Sequence, residues 1–102
     1  MAPILNSHHF AKCVNSDFAM AADGETIPLR LVEVREGVNT PRQESFSLIF
    51  SGPLSPYYPQ SIYRLEHENL GTLELFLVPI GPDENREKMH YEAVFNRLRK
   101  LS

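Results

Sequence analysis

Apolar and aromatic side chains recur at every second position over four stretches in the second half of this chain. Phe46, Leu48 and Phe50 are separated by Ser47 and Ile49. Tyr63, Leu65 and His67 repeat that spacing, as do Leu73, Leu75 and Leu77, and then Tyr91, Ala93 and Phe95. A period of two belongs to a strand with one buried face; an amphipathic helix repeats every three or four residues. Whatever the chain does, it does it on a β scaffold.

Turn signals divide these stretches. Asp23-Gly24 fits a type I′ hairpin turn, whose two central residues both need positive φ. That turn sets Met20 against Ile27 and Phe18 against Leu29. It also sets Asp17 against Arg30, a charge pair expected on the same side, closing the apolar row at its open end. Thr26 to Arg35 then forms a strand, with Val32 and Val34 assigned to its other face. Glu36 to Glu44 holds Gly37, Asn39 and Pro41 and reads as a loop. Gly52 to Pro59 has three prolines and cannot be a central strand.

Asn69-Leu70-Gly71 closes a second hairpin. A three-residue loop with Gly71 in the left-handed conformation sets Leu65 against Leu75, Tyr63 against Leu77 and His67 against Leu73. It also places Glu66 opposite Glu74, a repulsion for Arg64 to relieve. Phe76 and Val78 fall on the opposite face, as expected of a central strand. Gly81 to Lys88 is a charged loop, and His90 to Asn96 is the last strand, with Val94 on the face away from Tyr91. Ahead of the strands, Asn6 or Ser7 caps a short helix with Phe10, Cys13 and Val14 on one stripe, ending near Asn15. The expectation is one mainly β domain over residues 1–102. It is a six-stranded antiparallel meander curled into a small barrel or roll, with a short N-terminal α-helix plugging one end.

Composition narrows the function classes. The 102 residues carry a formal net charge of −3, with acids and bases mixed along the chain, so no basic face for nucleic acid is expected. Arg97, Arg99 and Lys100 form one basic cluster, read as a solvated tail. Cys13 is the sole cysteine, which rules out an internal disulfide. MAPILNSHHF lacks the basic start and apolar core of a signal peptide, so a cytoplasmic location is expected, with later incorporation into an extracellular assembly left open. Apolar runs such as Leu75 to Ile80 are too short to span a membrane as a helix.

Six separated blocks resemble a family of short bacterial proteins classed as a domain of unknown function. They are Phe46 to Pro53, Tyr63 to His67, Leu70-Gly71, Leu75 to Pro79, Gly81 to Asp83 and Tyr91 to Phe95. The first half resembles that family only in outline. The resemblance implies an association with phage-tail-collar-like proteins and hence an assembly role. It implies no catalytic residue.

Each chemical candidate has a plainer reading. His8 and His9 are adjacent, so on a helix they diverge by about 100° and do not share a metal easily. His67, His90 and Cys13 contain the donors of a metal site, but a hydrogen-bonded His67 at the rim is the simpler account. Cys13 lies on the apolar stripe and behaves as a small buried hydrophobe. Glu66, Glu68 and Glu92 read as strand-surface carboxylates, and no phosphate-binding glycine loop is present. No cofactor is expected. The remaining candidate is Pro53, Leu54, Pro56, Tyr57, Tyr58 and Pro59, a stiff segment whose tyrosines offer contact area at little ordering cost; its plainer reading is a rigid crossover that packs its tyrosines onto its own barrel. The expected function is a non-enzymatic structural or protein-binding module in a phage-tail-like or surface-fibre-like assembly, with a protein partner or self-association and no nucleic acid or membrane. A small apolar-ligand binder is the first alternative and an enzyme the second.

Overall fold

A computed structural model of the chain describes residues 6–98. The order is helix α1 (Ser7–Ala11), then strands β1 (Asp17–Ala22), β2 (Glu25–Asn39), β3 (Gln43–Pro53), β4 (Ser61–His67), β5 (Gly71–Pro82) and β6 (Lys88–Leu98). The chain is mainly β, and every strand pair is antiparallel. The first three strands form one meander and the last three another. The connector after β3 then crosses the molecule, so β4 pairs with β1 and β6 with β3. The sheet closes in the ring order β1-β2-β3-β6-β5-β4.

Asn6 caps α1: its side chain accepts from the His9 N–H, and His9 Nδ1 accepts from the Asn6 N–H. The two bonds satisfy orphan donors reciprocally. The helix is shorter than expected. It stops at Ala11, and turns carry the chain to Asn15, where φ is +71°. Phe10 and Cys13 are buried and Val14 packs against the core as the stripe required. The Phe10 ring lies 6.0 Å from Phe46 and 5.6 Å from Phe95, which stack on each other at 4.6 Å. The helix thus covers the end where β3 leaves its turn and β6 finishes.

The first hairpin has the expected register, with φ of +50° at Asp23 and +77° at Gly24. Asp17 does face Arg30, at 3.2 Å. Yet the pair lies outside, because residue 17 has the opposite parity to Phe18 and Met20. Val34 is also corrected. A bulge between Leu31 and Glu33 leaves Val32 as an extra residue and flips the strand's parity, so Val34 turns inward opposite Leu48.

The segment Glu36 to Glu44 is strand rather than loop. β2 runs to Asn39 and β3 starts at Gln43, leaving Thr40 to Arg42 as the turn. Gly37 is required there for a packing reason: a Cβ on it would lie 2.5 Å from Ser45 Oγ, which accepts from the Val38 N–H. The next loop shrinks likewise, since β5 continues to Pro82 and β6 begins at Lys88.

The second hairpin closes one pair earlier than expected. His67 faces Gly71, Leu65 faces Leu73 and Tyr63 faces Leu75. Glu68, Asn69 and Leu70 make the turn, and Gly71, at φ +78°, is the first residue of β5. The slip is two residues, so parity is kept and the apolar face survives. Glu66 now faces Thr72, and Arg64 faces Glu74 directly, so the expected repulsion does not arise.

Inward residues fill the ring. Phe18, Met20, Leu29, Leu31, Leu48, Phe50, Leu65, Leu77 and Tyr91 are completely buried, and Phe18 meets Phe50 edge to face at 5.3 Å. Gly52 is needed for close approach, since a Cβ there would sit 2.5 Å from a Leu29 methyl and 3.2 Å from the Tyr91 ring. No described helix is long and apolar enough to cross a membrane. Arg97 precedes the last residue of β6, and Arg99 and Lys100 lie outside the described residues, as do residues 1–5.

Candidate functional site

The connector from β3 to β4 is anchored from below. Pro53 ends β3 opposite Lys88. Leu54 and Tyr58 are half-buried and pack against the core. The Tyr58 N–H donates to Tyr91 Oη at 2.9 Å, and the Tyr63 hydroxyl donates to the Pro59 carbonyl. Burial raises both phenols above the usual tyrosine range, which keeps the Tyr63 donor and the Tyr91 acceptor neutral. The Ser55–Pro56 peptide is cis. Of the six residues expected to meet a partner, Leu54 and Tyr58 therefore face inward. Pro56, Tyr57 and Pro59 remain exposed, Tyr57 at 56%.

A second surface was not expected from the sequence. Ile62 on β4 and Phe76 on β5 are direct cross-strand neighbours on the outer face, exposed at 64% and 53%. β5 pairs with β6 from Val78 to Pro82, and beyond that stretch Val94 on β6 is 65% exposed. Two large apolar side chains thus face outward side by side on β4 and β5, with Val94 exposed on β6. Exposed apolar residues scattered singly are ordinary, and here two are direct neighbours. The next row holds Arg64 and Glu74, opposite each other and both exposed. Among the described residues neither makes an ion pair. The signal for this surface is the outward parity of Ile62, Phe76 and Val94. That parity in Phe76 also suits a strand covered on both sides, and the structure leaves its outer side uncovered.

The titratable groups beside the helix are held by hydrogen bonds within the fold. Cys13, Ser16, His67 and Glu68 line one depression beside the helix, of about 450 Å3. The Asn69 N–H donates to His67 Nδ1 at 3.1 Å, so the proton sits on Nε2, which donates to Ser16 Oγ at 2.9 Å. The Ser16 hydroxyl in turn donates to the Cys13 carbonyl. The imidazole also lies against Phe18, with centroids 4.4 Å apart. Both ring nitrogens are occupied, and neither bonds to the thiol. Cys13 is buried, and burial raises its pKa, which disfavours the nucleophilic thiolate. His90 faces Ser51 and Gly81 on other strands. Among the described residues no three His, Cys, Asp or Glu side chains converge as a metal site.

Compared with known proteins, residues 5–95 match the model of a family described as a domain of unknown function, DUF6916. No curated protein matches the chain, and no solved structure does.

Proposed function

The chain belongs to the DUF6916 family, and from its surfaces we propose that it is a non-enzymatic structural or protein-binding module of a larger assembly, phage-tail-like or surface-fibre-like. The observation that carries this reading is the outward pair Ile62 and Phe76, with Val94 exposed on β6, each more than half exposed. Water contact there costs free energy that a protein partner would recover. The exposed Pro56-Tyr57 tip of the connector adds a stiff second contact.

The interior supports this reading over a ligand-binding one. An apolar compound inside the ring would have to displace Phe18, Met20, Leu48 or Leu65, all completely buried. Six strands leave little lumen once side chains fill it. The test is size-exclusion chromatography with light scattering, together with capture from the cells that encode the protein. A mass above the 11.7 kDa of one chain, or a stoichiometric co-purifying protein, supports the module. A strict monomer at every concentration, with nothing co-purifying, contradicts it.

A further inference from the structure

We infer that the outer face of β4 and β5 docks on a second copy of this chain, in an isologous dimer whose two-fold axis runs along the strands between them. The inference rests on the assembly reading and names the partner. It is carried by two rows of that face. Ile62 faces Phe76 in one row and Arg64 faces Glu74 in the next. An axis lying between the strands carries β4 of one copy over β5 of the other. Ile62 then lands on the second copy's Phe76, and Arg64 on its Glu74. Both rows are self-complementary under the same rotation, as an isologous interface requires.

The charges choose this axis over its neighbour. An axis running along β5 would set Phe76 on Phe76, which the apolar contact tolerates. It would also stack Glu74 on Glu74, and like charges in contact are unfavourable. Only the axis between the strands pairs opposite charges. Both heads are available for this, because neither Arg64 nor Glu74 makes an ion pair among the described residues. Two sheets packed face to face sit about 10 Å apart with strands within about 30° of one another, a spacing that side chains the size of Phe76 and Ile62 fill.

The test uses charge reversal at two exposed positions, so folding is not at issue. Sedimentation velocity of wild type shows a dimer, and R64E or E74R alone weakens it by about tenfold or more. Mixing the two variants restores the dimer, because each charged contact then joins a carboxylate of the R64E copy to a guanidinium of the E74R copy. A mixture that stays monomeric while wild type dimerises overturns the inference. So does a wild-type dimer indifferent to both reversals. A monomeric wild type that captures a different protein, with capture lost in F76S, overturns the second-copy inference and leaves the assembly reading standing. A monomer that captures nothing removes both.

Discussion

Single residues here act mainly by accepting or refusing one neighbour. Tyr91 is buried, and its oxygen accepts the Tyr58 N–H. Tyr91→Phe keeps the ring and strands that donor, so it is expected to cost about 1–3 kcal/mol in urea titration and to loosen the connector in hydrogen exchange. Gly52→Ala pushes a methyl against Leu29 and the Tyr91 ring. Such overpacking costs about 1–3 kcal/mol, and an unchanged midpoint would refute the close approach. His67 is held as the Nε2–H tautomer, which imidazole 15N shifts report directly; an Nδ1–H pattern would contradict the chain of bonds through Ser16 to Cys13.

Asp83 gives the one acid-side prediction. The Glu87 N–H above all, with the Lys88 N–H beside it, holds its carboxyl below the usual range. The native state therefore binds fewer protons there than the unfolded chain. The stability this adds is present above about pH 4, the ordinary carboxylate value, and is lost as pH falls through the depressed one. Asp83→Asn should flatten that part of the stability profile; a profile identical to wild type would show that the turn does not depend on the carboxylate.

At the scale of elements, local chemistry was legible and long-range covering was not. Asp23-Gly24 specified its turn and its register. The second hairpin slips by one pair because parity and a glycine fix which face is inward but not where the turn closes: residues 68–70 serve as well as 69–71. Gly71 still needs its positive φ, and a Cβ there meets nothing within 4 Å. Gly71→Ala should thus cost only the backbone term, about 1–2 kcal/mol, with the register kept in amide NMR. Val34 and the stretch after it depart from expectation because one extra residue at Val32 reverses parity without a mark in composition. Gly37, Asn39 and Pro41 suggest a loop, yet the pairing of β2 with β3 overrides those residues. The stiffness of the connector was legible in its prolines, and its plainer reading, tyrosines packed on the barrel, holds for Tyr58; which residues turn inward is set by Tyr91, far along the chain.

At the scale of the molecule, alternation tells which side chains share a face and is silent on whether that face meets water. Phe76 has the same parity in a strand covered on both sides and in one exposed on its outside. The closed ring decides it: the inner face is filled by the chain itself, while Ile62, Phe76 and Val94 on the outer face stay exposed. The most direct measurement is light scattering and thermal melting of Phe76→Ser beside wild type. The variant is expected to fall to the mass of one chain, with a melting temperature close to that of a wild-type sample diluted to monomer. An unchanged assembly state, or a melt collapsed as if a core residue had been lost, would contradict a docking role for this face.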